Sequence, residues 1–122
     1  MNCEKCKTNS IFEEDAICSG KCAVVGCVRG IARIVVQPDE LTTINPGEIL
    51  ITYMTTPDSV GAMLKAEAVI TDRGGILCHA AIVCRENNKP CVVGAKDCMT
   101  RIKDRDRIIV CATRGMIFYD RQ

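Results

Sequence analysis

The one histidine of the 122-residue chain, His79, lies in the stretch Thr71-Asp72-Arg73-Gly74-Gly75-Ile76-Leu77-Cys78-His79-Ala80-Ala81. The pattern reads as strand, double glycine, then helix, with the histidine in the first helical turn. Paired glycines let a ligand approach the backbone closely and leave N–H groups unshielded. A helix start adds more free N–H groups and the positive end of the peptide dipole. Together these form an anion site matched to a phosphate. The same field disfavours imidazolium and favours a neutral, nucleophilic ring. A neutral imidazole can attack a phosphoryl group, hold it through an energy-rich P–N bond and later leave easily, which suits a carrier. Ala80 and Ala81 are small enough to leave room for phosphate on one side and close helix packing on the other. From spacing alone a second reading stays open, because a lone histidine beside glycines is commonly a structural or surface residue.

The ten cysteines offer a rival chemistry. Cys3-x2-Cys6 followed by Cys18-x3-Cys22 could supply four thiolates to zinc or to an iron–sulfur cluster, with Cys27 as an alternative fourth ligand. The competing reading of the first pair is an arm with two exposed, reducible thiols. Cys78, Cys84, Cys91, Cys98 and Cys111 lie in or beside apolar segments such as CHAAIVC and PCVVG. They read as reduced, mostly buried thiols behaving as small hydrophobes. Cys78 and His79 do not make a catalytic dyad, since neighbours on a helix point about 100° apart. Lys65, Arg73 and Arg85 could hold phosphate or a partner's nucleotide, or serve as plain surface. No carboxylates are spaced for acid–base catalysis, and Glu13-Glu14-Asp15 reads as a solvated face. Met54, Met63 and Met99 read as core filler.

The elements that must position His79 are short. Residues 1–19 show no clear period and read as an arm; residues 20–122 read as one domain. CAVVGCVRGIARIVV is β-branched and broken by Gly26 and Gly30, as two short strands would be. Pro38-Asp39 and Asn45-Pro46-Gly47 mark turns, and GEILITYM between breakers is a strand. Asp58 is the candidate cap of a helix over residues 59–65. EAVIT is a compact buried strand, residues 78–87 have helical composition, and Asn87-Asn88-Lys89-Pro90 ends that helix. CVVG is a further strand, and RIIVCATRGMIFYD is a hairpin around Thr113-Arg114-Gly115. The pattern predicts a compact α/β domain whose strand order is not readable. Sixteen basic residues nearly balance fifteen acidic ones, and no basic stripe interleaves with aromatics, which argues against nucleic acid as a partner. The apolar runs are too short to cross a bilayer, and the N-terminus lacks a signal peptide's apolar core, so a cytoplasmic location is expected.

The stretch GGILCHAAIVCRENNKPCVVG resembles the phosphohistidine site of the PEP-utilizing enzyme mobile domain, found in pyruvate phosphate dikinase, phosphoenolpyruvate synthase, enzyme I of the sugar phosphotransferase system and rifampin phosphotransferase. The resemblance extends over about residues 21–119: Gly47-Glu48-Ile49-Leu50 and Thr55-Thr56-Pro57-Asp58 look like the family's strand and T-x-P-D turn, and residues 65–72 like the strand entering the active loop. It implies a β/β/α swivelling fold with two or three helices. It makes His79 the phosphorylated residue, with Gly74 and Gly75 as the pair shaping its loop and Thr71, Cys78, Ala80 and Arg85 around it. Arg85-Glu86 match the family's R-E, and Pro90, Val93 and Gly94 its P-x-V-V-G. It further implies a carrier subunit of a phosphoenolpyruvate synthase-like or pyruvate phosphate dikinase-like phosphotransferase. Such a carrier shuttles between an ATP-grasp protein and a second site, often a barrel binding PEP or pyruvate. ATP, Mg and PEP or pyruvate would bind those partners, and the chain is not expected to complete catalysis alone. The alternatives are a metal-binding module built on the cysteine arm and a non-catalytic regulatory domain. Three departures stand out: Leu77 replaces a usual Thr, Ser or Asn, Cys84 a small residue, and Arg105-Asp106-Arg107 an Asp-Gly turn.

Overall fold

In the computed structural model, residues 15–36 and 43–120 are described. The expectations for Cys3, Cys6, the acidic pair Glu13-Glu14 and the turn at Pro38-Asp39 lie outside these residues. The described strands are β1 (Cys18–Ser19), β2 (Lys21–Val24), β3 (Cys27–Val35), β4 (Glu48–Thr52), β5 (Ala68–Thr71), β6 (Cys91–Val93), β7 (Arg107–Cys111) and β8 (Met116–Tyr119). The helices are α1 (Val60–Lys65), α2 (His79–Glu86) and α3 (Cys98–Arg101), with a 3₁₀ turn over Pro57–Ser59 before α1. None of the helices among the described residues is long and apolar enough to cross a membrane.

All eight strands join one mixed sheet in the order β1-β8-β7-β3-β4-β5-β6-β2. The run β3, β4, β5, β6 is parallel, and the remaining pairs are antiparallel. Parallel neighbours need crossovers; α1 supplies the one from β4 to β5 and α2 the one from β5 to β6. The central strands are buried on both faces, which is why EILIT and AVIT lack polar alternation. Ile49, Ile51, Ala68, Ile70 and Val92 turn into the inner core with Ala32, Ile108, Val110 and Ile117. Their alternates Leu50, Val69, Cys91 and Val93 pack outward against Ala62, Met63 and Ala66 of the α1 segment and Ala80, Ala81 and Cys84 of α2.

β1 and β2 occupy opposite edges of that order, yet only Gly20 separates them. The sheet must therefore roll up until its edges meet, as a barrel does. At the seam, the Gly20 N–H donates to the Gly115 carbonyl at 2.7 Å. Gly115 has φ +69, and a Cβ there would collide with the Gly20 carbonyl oxygen, so closure requires glycine at this turn.

Several sequence expectations are met: the β2–β3 break at Gly26, the turn before β4, the buried strand β5, and the β7–β8 hairpin. Others are corrected. Gly30 does not interrupt β3, which runs unbroken through it and packs that residue close to the Gly47 backbone. Asp58 does not cap α1. The turn over Pro57–Ser59 is instead entered at Thr56, whose N–H donates to Ser59 Oγ at 3.1 Å. The sheet begins at Cys18, two residues ahead of residue 20, because Cys18 and Ser19 pair with Ile117 and Met116. Cys27, offered in sequence as an alternative fourth metal ligand, is disulfide-bonded. Cys78, Cys84, Cys91, Cys98 and Cys111 are free, all but Cys78 buried.

Candidate functional site

The carboxyl ends of parallel strands form crevices where ligands bind in open α/β sheets. Here β4 and β5 end side by side, and their pairing continues one step past the strands. The Asp72 N–H donates to the Thr52 carbonyl and the Arg73 N–H to the Tyr53 carbonyl, each at 3.0 Å. The loop after β5 leads into α2, whose first residue is His79. Its N-cap, Cys78, is extended and makes no side-chain capping bond, so the first-turn amides are left to other acceptors.

His79 is half-buried, and its Nδ1 lies 2.8 Å from the Thr55 hydroxyl oxygen. Thr55 is itself buried at 7% exposure, so the ring is held from a rigid side. A cavity of about 210 Å³ opens beside the ring, lined by Met54, Thr55, Thr71, Arg73, Gly74, Cys78, His79 and Ala80. Arg73 is its cation, held over the Tyr53 ring at 5.6 Å.

The loop 72–78 is shaped from several sides. Gly74 has φ +108, and a Cβ there would stand 2.9 Å from Cys78 Sγ, so both backbone and packing demand glycine. The fully buried Thr71 spends its hydroxyl on the Arg73 carbonyl at 2.7 Å. The Arg85 guanidinium donates to the Ile76 carbonyl at 2.9 Å, bracing the loop from the last turn of α2. The Asp72 carboxylate accepts the Asp97 N–H at 3.0 Å and ties the loop to the segment before α3.

Of the residues singled out in sequence, Thr71, Gly74, Cys78, Ala80 and His79 meet at one cavity. Gly75 does not line it; a Cβ there would meet open space, and its carbonyl accepts the Cys78 N–H at 3.0 Å. Arg85 faces the loop backbone, outside the lining. Met54 is not core filler: β4 ends at Thr52, so Met54 lies beyond the strand and is 55% exposed at the cavity mouth. Thr55 is the neighbour of His79 that was not singled out as a site residue in sequence. Its place is the turn after β4, 24 positions before His79. Leu77 is 81% exposed, and Tyr53 and Ile76 are exposed apolar side chains as well, outside the lining. On the cysteine side, Cys18 is buried in β1 and Cys22 half-buried in β2. Among the described residues no group of three or more His, Cys, Asp or Glu is arranged to hold a metal ion.

The chain is similar to known proteins. The family described as PEP-utilising enzyme, mobile domain, matches residues 44–115. The chain is 37% identical over 115 residues to a probable phosphoenolpyruvate synthase of Methanothermobacter thermautotrophicus, covering 94% of this chain and 17% of that protein. It is 42% identical over 86 residues to the phosphoenolpyruvate synthase of Escherichia coli, covering 70% of this chain and 11% of that one. The chain thus spans under a fifth of the length of these relatives. Among solved structures, Enzyme I (nEIt) superposes with TM-score 0.57 at 26% identity, over 67% of this chain and 34% of that one. Aconitase X of Thermococcus kodakaraensis superposes with TM-score 0.64 at 18% identity, over 84% and 97% of the two chains, a likeness of fold alone.

Proposed function

The chain belongs to the PEP-utilising enzyme mobile domain family, and from that premise we propose that it carries a phosphoryl group on His79 between partner sites it does not itself contain. The observation that carries this reading is the Thr55–His79 contact beside the cavity. With the ring proton on Nδ1, the ring donates to the Thr55 hydroxyl, and Nε2 keeps its lone pair. Nε2 then attacks phosphorus; a P–N bond forms as the bond from phosphorus to the donor's leaving oxygen breaks. The reverse displacement delivers the group to an acceptor. Arg73 and the first-turn amides of α2 stabilise the charge on the three phosphoryl oxygens. The carrier reading fits the chain's modest share of its relatives, whose remaining length has room for sites handling ATP with Mg and PEP or pyruvate. An ATP-grasp protein as donor and a barrel as second site are the partners this reading calls for.

The test is intact-mass spectrometry at neutral to basic pH after incubation with PEP, and separately with ATP plus an ATP-grasp partner. The expected result is one phosphoryl adduct, lost on acidification and absent in His79→Ala. An adduct that persists in His79→Ala would remove His79 from the role.

A further inference from the structure

Arg73 is the cation among the residues lining the cavity at His79, yet it belongs to an exposed loop residue. No carboxylate among the described residues pairs with its guanidinium. A long side chain loses rotamer freedom when it settles on a ligand, and that cost falls when the side chain is ordered beforehand. What orders Arg73 is Tyr53, whose ring centroid lies 5.6 Å from the guanidinium carbon. The backbone fixes both ends of this contact. β4 and β5 pair in register up to Thr52 and Thr71. One step on, the Arg73 N–H donates to the Tyr53 carbonyl at 3.0 Å, so ring and guanidinium leave the backbone from directly joined residues. The buried Thr71 hydroxyl donates to the Arg73 carbonyl at 2.7 Å and holds that residue from its other end. Tyr53 itself is 42% exposed and stands outside the cavity lining.

We propose that Tyr53 is a positioning residue for phosphoryl transfer: its ring face holds the Arg73 guanidinium at the cavity, ready for the anionic oxygens of the group that His79 receives. The inference rests on the carrier reading of His79 and adds to it what orders the cation. A ring face attracts a guanidinium without neutralising it, as a carboxylate would. Arg73 therefore keeps its full charge for the phosphoryl oxygens while its side chain is held in place. Tyr53 acts only through Arg73. A cation–π contact at an exposed site amounts to a factor of about 2–5 in a rate or equilibrium.

The whole purified protein is incubated at neutral pH with phosphoramidate, a small phosphoryl donor, and the adduct is followed in time by intact mass. His79 Nε2 bonds to phosphorus as the donor's own P–N bond breaks, and ammonia leaves with the protons its nitrogen already carried. Tyr53→Leu is expected to take up the group about 2–5-fold more slowly than the wild type. Tyr53→Phe, which keeps the ring face, is expected to retain the wild-type rate. In an Arg73→Ala background, Tyr53→Leu should bring no further loss, because nothing is left for the ring to position. A wild-type rate in Tyr53→Leu, a slow Tyr53→Phe, or the same slowing by Tyr53→Leu with and without Arg73 overturns the proposal and leaves His79 as the carrier. No wild-type adduct, or one that persists in His79→Ala, overturns the carrier reading and this inference together.

Discussion

At the scale of single residues, the His79–Thr55 contact engages Nδ1 and leaves Nε2 as the other ring nitrogen. A hydroxyl 2.8 Å from Nδ1 orients the ring, and it comes from a side chain already buried. Replacing Thr55 with Val keeps the shape and removes the hydroxyl. The expected effect is a fall of about 10–100-fold in the rate of phosphoryl uptake, with little change in melting temperature, since partners that orient a reactive group typically count for that much. Time-resolved intact mass gives the rate; an unchanged rate would show that orientation comes from elsewhere. His79, Gly74 and Cys78 were legible in sequence because they lie in one continuous segment with recognisable helix-start chemistry. Thr55 was not, because its relation to His79 exists only after β4 and β5 have paired. Arg105 shows the same limit. In the stretch Arg105-Asp106-Arg107, which replaces a usual Asp-Gly turn, it had no readable effect, yet the structure gives it φ +76, strain that a glycine would avoid. Its guanidinium reaches Glu48 Oε2 at 3.1 Å.

That carboxylate belongs to the scale of elements. Glu48 opens β4 and is nearly buried, with Oε1 2.9 Å from Arg33 Nη1 on the neighbouring β3. Oε1 also accepts the Asn45 N–H at 2.8 Å, which fixes the turn that starts the strand. Arg33 is buried as well, donating to the Thr43 carbonyl and hydroxyl. Removing Glu48 leaves the buried Arg33 only the half-exposed Asp104 carboxylate at 3.8 Å, so Glu48→Ala is expected to cost about 3 kcal/mol. Urea unfolding would measure it; a loss of less than about 1 kcal/mol would place the pair among surface salt bridges. The strands β4, β5 and β6 were readable from their apolar runs because both of their faces are covered. α3 was not, being four residues long, and neither was β1, whose two residues are a strand only because β8 accepts them. Strand order escaped the sequence for the same reason: it is set by crossovers and edge contacts, to which no local pattern corresponds.

For the molecule as a whole, the rolled sheet creates an interior that excludes water, and its thiols report on it. Burial raises Cys18 from 9.0 to about 11 and Cys98 to about 12. In the unfolded chain both lose their protons near 9, while the folded protein keeps them, so the folded state binds more protons above that pH. Stability is then full below pH 9 and falls as pH climbs through 11 to 12. The slope is at most about 1.4 kcal/mol per pH unit for each thiol. Urea midpoints at pH 8 and pH 10 should show the loss, and Cys98→Ala should lessen it; equal slopes in the two proteins would mean that Cys98 is not kept protonated. The same closure settles how the domain is strung. β1 and β8 lie antiparallel on one edge, Ile17 donating to Ile117 and Asp120 following the end of β8. The described residues of the sheet therefore begin and end at neighbouring points, like the two ropes of a swing. A pull applied at Cys18 and Asp120 would peel this short ladder one bond at a time, and β1 would yield before the load reached the parallel strands that hold His79.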